Sequence, residues 1–533
     1  KKDFEEQKAD YYSVKIKNFL PDGKILYHQN VRLFKKLPQL RYEGKLHENI
    51  NVFEYRDTLK AGESGILLGH MGYLPAVVSE KNKVERNYKI MEREVKNNPT
   101  GYNLYNMGTL YFQNDEYEKA LETFTKAYEL SKDKTYVKHL ISNIAKCLRK
   151  MKRSKEAAGI LLEAVAIHSN YTDFYMELAQ AYQECGYIRD AEYYYYKCLE
   201  LGDINDSVTT EGVGSYLAWF SLAKLYESQG RHADAFDAAF KSIEQKKSFR
   251  PALAVYLKSM LRTGIPLEET YRHICSIYRP SILEDLSTLI FTLYECRHPL
   301  LNRFFTEMKG EARADIKAVA LQYDRNYDEA LAEWNSMEVI PSDNGNDILL
   351  LALMTGDSEL LNRIKSHFNI SSKEWKTMGR FVRKETFDSK EVTEWIEERL
   401  LQLAVHLIIL EEADAFEYLS AVLLTCSQKA QYELANILDN YGFSDLAAGV
   451  LENNLGYVEG ELNSMRRLGD VFFRKGLFEE ALGFYTELMK IDSEYVTYER
   501  LYDTYEKLGD NSKCNVLKQE IRRLFPLSGW VRR

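Results

Sequence analysis

From Tyr11 onward polar and apolar positions alternate. Tyr12, Val14 and Ile16 fall on one side of an extended chain, and Ser13, Lys15 and Lys17 on the other. Pro21-Asp22-Gly23-Lys24 is a turn signal, followed by the short apolar run Ile25-Leu26-Tyr27. Val31-Arg32-Leu33-Phe34 forms a third run. Past a turn at Leu37-Pro38, Arg41 to Glu48 returns to a period of two. Four short strands with little helix between them cannot close a core of their own. Residues 1–80 therefore predict the trailing edge of a larger sheet. From about Val84 the period becomes helical.

The helical region repeats itself. Between 101 and 130, Leu104, Met107, Gly108, Tyr111, Ala120, Phe124 and Ala127 occupy offsets 4, 7, 8, 11, 20, 24 and 27. Counting from Thr172, the same offsets give Leu178, Ala179, Tyr182, Ala191 and Tyr195; from Tyr216 they give Leu222, Ala223, Tyr226 and Ala235. From Leu462 they give Met465, Leu468, Gly469, Phe472, Ala481 and Tyr485, and Gly442, Gly476 and Gly509 stand 34 and 33 residues apart. This is the tetratricopeptide pattern. Small residues at offsets 8 and 20 (Gly108, Ala120, Ala179, Ala191, Ala223, Ala235, Gly469 and Ala481) let paired helices approach closely. Large residues at 4, 7, 11 and 24 fill the groove between them. Glycine near offset 15 supplies the left-handed residue that ends a helix.

The pattern predicts a mainly α fold, a tetratricopeptide-type solenoid behind a short β-rich segment. Its divisions are 1–80, regular repeats over 81–250, degenerate helical hairpins over 251–425 and regular repeats again over 426–533. The loop at 202–214 reads as an insertion that stretches the Ala179–Ala223 spacing to 44. A length of 533 residues, which would otherwise suggest three or four domains, then describes one core extended through about 10 to 12 hairpins.

Composition narrows the function. Hydrophobic residues at 45% and charged residues at 28% exclude wholesale disorder. A formal charge of −9 gives no overall basic field to hold nucleic acid or anionic lipid. The longest apolar stretch, 401–410, contains His406 and predicts a buried helix with a core histidine. Seven scattered cysteines without a CxxC pair fit a reducing compartment, so a cytoplasmic location is expected. The 38 tyrosines recur at repeat positions and are expected to be mostly scaffold, the alternative being a tyrosine-rich concave face for ligand binding. The basic tail from Arg522 to Arg533 is expected to be a solvated cap on the last repeat. A chain opening on Lys1-Lys2-Asp3 is expected to be part of a longer protein.

Potentially reactive groups concentrate near the N-terminus: Arg32, Arg41, Glu43, His47, Glu48 and His70. A carboxylate beside an imidazole at a strand end can serve as general base and metal or phosphate ligand. The run from Tyr11 to Ile50 resembles the end of the catalytic domain of family 2 glycosyltransferases, inverting enzymes with a GT-A fold. Arg32-Leu33-Phe34 is followed by Tyr42-Glu43-Gly44-Lys45-Leu46-His47-Glu48, then His70-Met71-Gly72-Tyr73 and Lys83-Val84-Glu85-Arg86-Asn87. That order resembles a bacterial branch carrying C-terminal tetratricopeptide repeats. The resemblance implies a parent enzyme that transfers sugar from a nucleotide-diphospho-sugar with a divalent metal, Mn2+ or Mg2+. It makes Glu48 the base or acceptor contact, His47 a catalytic and metal or diphosphate contact, and Arg32 and His70 substrate or diphosphate contacts. The nucleotide-binding half with its Asp-x-Asp is missing from these residues, so this chain alone is expected to be inactive. Two readings result. In one, this is the C-terminal region of such an enzyme, its repeats recruiting an acceptor protein, peptide or glycan. In the other it is a non-catalytic tetratricopeptide interaction scaffold.

Overall fold

A computed structural model describes residues 9–19, 25–43, 49–71, 83–204, 208–308, 313–368, 370–386, 388–455 and 461–532. The chain divides into two compact units: Lys1–Ser221 with Pro526–Arg533, and Leu222–Phe525.

The first unit opens with strands β1 (Tyr11–Phe19), β2 (Ile25–Phe34), β3 (Tyr42–Glu43), β4 (Asn49–Ile50) and β5 (Ala61–His70). The alternation expected for β1 is realised: Tyr12, Val14 and Ile16 are buried, and Asn18 continues their face. β1 pairs antiparallel with β2 (Tyr11 opposite Phe34, Phe19 opposite Ile25) and parallel with β5. Helices follow as α1 (Lys83–Asn97), α2 (Gly101–Gln113), α3 (Tyr117–Glu129), α4 (Val137–Lys150), α5 (Ser154–Ile167), α6 (Thr172–Glu184) and α7 (Ile188–Leu201). The 202–214 insertion has a structural task that its sequence hid. Val208–Thr210 forms β6, which pairs antiparallel with β2, giving the sheet order β5-β1-β2-β6. The sheet is thus completed from between two repeats. A three-residue strand carries no periodicity to read.

The repeat offsets describe real packing. Ala120, Phe124, Ala179 and Ala191 are fully buried in this unit, as are Ala223, Ala235 and Ala481 in the other. A Cβ added at Gly108 would stand 2.6 Å from the Phe124 ring, and one at Gly469 would press equally hard on Tyr485. Gly108→Ala is therefore expected to cost about 1–3 kcal/mol by overpacking. In a Phe124→Leu background the added cost should largely vanish, since the two changes share one space. Urea titration of the four chains checks this, and strict additivity would refute the contact.

Hairpin turns use the left-handed backbone throughout. Gly186 in the first unit, and Gly230, Gly442, Gly476 and Gly509 in the second, have φ between 68° and 87°. Elsewhere bulky residues take that conformation: Asp115 and Lys152 in the first unit, then Arg297, Arg325, Lys384 and Glu411 in the second. The second unit continues mainly as α-helices; within 251–425 these are interrupted by 3-10 turns at Ser342–Asn344, Ser358–Arg363, Lys365–His367 and Ser389–Glu391.

Two expectations about side chains resolve differently. His406 is a core histidine: its Nδ1 is hydrogen-bonded to Tyr323 Oη at 2.9 Å, and burial pushes its pKa down to about 4. The tail is not a solvated cap. Trp530 and Val531 are buried, and fully buried Asp190 accepts from the backbone N–H of Trp530 (2.9 Å) and Gly529 (3.1 Å) and from Ser528 Oγ (3.3 Å). Tyr182 Oη donates to the Leu527 carbonyl at 2.8 Å, and the Arg189 guanidinium lies 4.9 Å from the Trp530 ring centroid. A Trp-Val pair offers more apolar surface than a polar cap can leave in water, and Asp190 supplies the acceptor that holds it. Among the described residues, no helix is long and apolar enough to cross a membrane.

Candidate functional site

Asn18 stands where the β1 pattern calls for another apolar residue. It is 1% exposed and ties three strands together. Its Nδ2 donates to the Leu26 carbonyl (2.9 Å) and to His28 Nδ1 (2.8 Å), and its Oδ1 accepts from His70 Nδ1 (3.0 Å). A buried amide with both ends satisfied fixes side-chain positions on β2 and β5 without adding charge.

Beside this network is a cavity of about 470 Å³ between the sheet and the first repeats. From the sheet it is lined by Asn18, His28, Gln29, Asn30 and Arg32, among others. Facing them from α2 are Tyr102, Tyr105, Asn106 and Thr109, at offsets 2, 5, 6 and 9 of the first repeat, with Tyr136 and His139 beyond. The tyrosines form a curved aromatic wall. Tyr102 and Tyr105 have ring centroids 6.3 Å apart and an interplanar angle of 26°; Tyr136 lies 5.7 Å from the first and 5.2 Å from the second. Tyr105 Oη and His139 Nδ1 are hydrogen-bonded at 2.7 Å. Burial, with the fields of Lys146 and His28, pushes the His139 pKa down to about 3, so this imidazole is neutral at physiological pH. Asp133 and Lys134 at the rim pair with each other at 3.0 Å. Asn106 is only 5% exposed, and its Nδ2 has no hydrogen-bond partner.

The inserted strand borders this space at Val208. Tyr171 Oη donates to the Val208 carbonyl at 2.7 Å, and the Thr210 N–H donates to Asp173 Oδ1 at 3.0 Å. Burial raises the Asp173 carboxyl to about 6, an effect that the Thr210 bond offsets only in part. β6 is thus held on one side by β2 and on the other by α6 and the residue before it.

Of the residues proposed from sequence, Arg32 lines the cavity and His70 reaches its edge through Asn18. His47 and Glu48 lie outside the described residues, and with them the metal candidate. Among the described residues no three His, Cys, Asp or Glu side chains converge as a metal site. Sequence reasoning missed Asn18, His28, Tyr102, Tyr105, Asn106, Tyr136 and His139. A usable signal existed for two of them: Asn18 breaks a clean alternation, and Asn106 is a polar residue between two packing positions.

The second unit carries a ladder of charges across successive helices. In helices Gln428–Asn440 and Glu461–Arg474, Asp439 pairs with Arg467 at 2.8 Å and also with Arg474. Asp470 accepts from Arg500 Nε on helix Tyr495–Leu508 and from Tyr485 Oη, each at 2.7 Å. These pairs stitch one repeat to the next.

The chain carries tetratricopeptide repeats. Models of that repeat match residues 99–170 and 211–251. The heat shock protein STI1 of Saccharomyces cerevisiae is 34% identical over 106 residues, 20% of this chain and 18% of that protein, so the chain spans under a fifth of the relative's length. Among solved structures, the APC/C hetero-tetramer Cut9-Hcn1 is similar over 83% of this chain and 84% of its own, at 13% identity and a TM-score of 0.32. A tetratricopeptide repeat protein from Parabacteroides merdae is similar over 53% of this chain and 98% of its own, at 15% identity and a TM-score of 0.29. None of these is a glycosyltransferase.

Proposed function

We propose that this chain is a protein–protein interaction scaffold whose helical repeats hold a segment of a partner protein. The observation that carries it is the pair of repeat matches, at 99–170 and 211–251, falling on helices packed through small residues at offsets 8 and 20. Helical repeats expose one face of each first helix along a run of neighbours, and partners dock there. In the first unit the chain's own sheet faces offsets 2, 5, 6 and 9 of α2 across the cavity. In the second unit the corresponding offsets 5 and 9 of helix Gln428–Asn440 place Tyr432 and Asn436, both half-buried, on that face. These two residues are the proposed contact.

The glycosyltransferase resemblance has weaker support. His47 and Glu48 lie outside the described residues, and no match above is to such an enzyme.

The test is capture of the partner by the whole chain, followed by a Tyr432→Ala/Asn436→Ala variant. Loss of about tenfold in affinity with an unchanged melting temperature is expected. Undiminished capture by that variant would place the partner elsewhere.

A further inference from the structure

We propose that the second unit takes an acidic segment of its partner, whose carboxylates dock on Lys224, Lys258 and the arginines beside them. This names a partner class for the scaffold reading and rests on it. Lys224 stands at offset 9 of helix Tyr216–Ser228, and Lys258 at offset 9 of helix Arg250–Arg262, with Arg262 at 13. Asn436 occupies the same offset 9 in helix Gln428–Asn440. These stretches, far apart in the chain, meet at their ends. The Arg262 guanidinium lies 6.0 Å from the Tyr441 ring centroid, and Arg474 Nη1 donates to the Gln229 carbonyl at 3.5 Å. Lys224 and Lys258 on one side, and Tyr432 and Asn436 on the other, stand about one to three helical turns back from that junction.

Acceptors run short there. Glu227 pairs with both Lys224 and Arg262 (2.8 Å to the second) and lies in the field of Lys258 as well. Asp439 pairs with both Arg467 and Arg474. Five cations thus share two carboxylates, in a chain whose formal charge is −9. The neighbouring pairs Arg250–Glu295 and Arg500–Asp470 are balanced and leave the sign unchanged. The Nε atoms of Arg262 and Arg467 are buried and find no acceptor. Burial pushes Arg474 below the ordinary arginine value, and Arg467 adds to the effect, which Asp439 offsets only in part. Lys258 is exposed and has no ion-pair partner among the described residues.

The form of the patch selects the partner. Lysine heads are point charges on flexible stems, so they take carboxylates without a fixed fork geometry. An ammonium has three donors, and Lys224 keeps capacity beyond Glu227. A long polyanion such as nucleic acid would overrun the patch. On helix Tyr495–Leu508, Glu499, Asp503 and Glu506 follow one another along a single face and reverse the sign. A short acidic peptide stays within the basic stretch.

Fluorescence anisotropy of the whole chain with a rhodamine-labelled peptide of alternating Glu and Ser, at about 0.15 M salt, tests the assignment. The Glu peptide is expected to bind at least about tenfold more tightly than its Gln counterpart. Lys224→Glu/Lys258→Glu should weaken it by about tenfold or more, with the melting temperature unchanged, because an exposed pair adds little stability. Lys373→Glu/Lys376→Glu, the same change of charge at exposed positions of helix Ser372–Val382, should leave binding as it was. No binding of the Glu peptide, equal binding of the Gln peptide, or equal loss in both variants would overturn the proposal. Tighter binding of a phosphoserine peptide of the same length would also overturn it, in favour of phosphate. Partner capture separates the two readings. Capture lost in Tyr432→Ala/Asn436→Ala but kept in Lys224→Glu/Lys258→Glu would remove the acidic class and leave the scaffold. Capture kept in both variants would remove the proposed face and this proposal with it.

Discussion

Replacing Asp470 by alanine will lower the unfolding free energy by about 3–5 kcal/mol, the usual result of stranding a buried charge. The side chains of Arg500 and Asp470 are 17% and 16% exposed, and the aspartate also accepts from Tyr485 Oη. Removal of the carboxylate leaves the guanidinium inside the repeat stack with its partner gone. Replacing both residues by apolar ones of similar size should cost much less. The same pair sets a pH dependence. Burial alone would raise the Asp470 carboxyl, but Arg500 and the Tyr485 bond hold it below the ordinary range. A depressed carboxylate stabilises the fold above its unfolded pKa of about 3.9, and that contribution fades as pH falls through the folded value. The gap between wild type and Asp470→Ala in urea midpoint should therefore be full at neutral pH and shrink below about pH 4. An equal gap at both ends would refute the ion-pair account.

Asp190→Ala will release the tail. Two backbone N–H groups and the Ser528 hydroxyl converge on that carboxylate, whose residue has no exposed surface. Each donor left without an acceptor costs about 1–3 kcal/mol. The tail has an escape that a core helix lacks, because it can leave for water. Amide exchange at Gly529 and Trp530 should then accelerate by about 10²–10³-fold, while α6 and α7 keep much of their protection. Trp530 fluorescence should shift to the red in parallel. Arg189→Met, which removes the cation–π contact with Trp530, should change exchange at these positions far less. Unaltered exchange at Gly529 and Trp530 in Asp190→Ala would show that the tail is held by other means.

Much of the helical framework was legible because its packing rule is local. Gly108 against Phe124 and Gly469 against Tyr485 recur at fixed offsets, and the turn glycines recur with them. The signal fades where the chain meets the same geometric demand with other residues. Lys152, Arg297, Arg325, Lys384 and Glu411 all sit in the left-handed region, where composition predicts glycine or asparagine. The candidate site was harder to read, for a different reason. Its walls come from β1, β2, β6, α2 and α4, separated by up to 190 residues, and no period links Asn18 to Asn106 or Val208. Arg32 was reached only through a resemblance that implies a substrate or diphosphate contact, and it lines the cavity. The tail was misread because its basic residues dominate its composition, while its two apolar ones determine where it goes.

The Asp190–tail contact also imposes an order in time. Tetratricopeptide hairpins touch mainly their neighbours and can fold as they are made, but Asp190 waits for Trp530, 340 residues later in the chain. At a synthesis rate of about 5–20 residues per second, that is a delay of roughly 17–70 s. During this interval the Asp190 carboxylate on α7 lacks its tail donors, and the surface that Trp530 and Val531 will fill stays uncovered. Premature termination anywhere in the second unit would yield a first unit that is folded, incomplete and marked by that open seat.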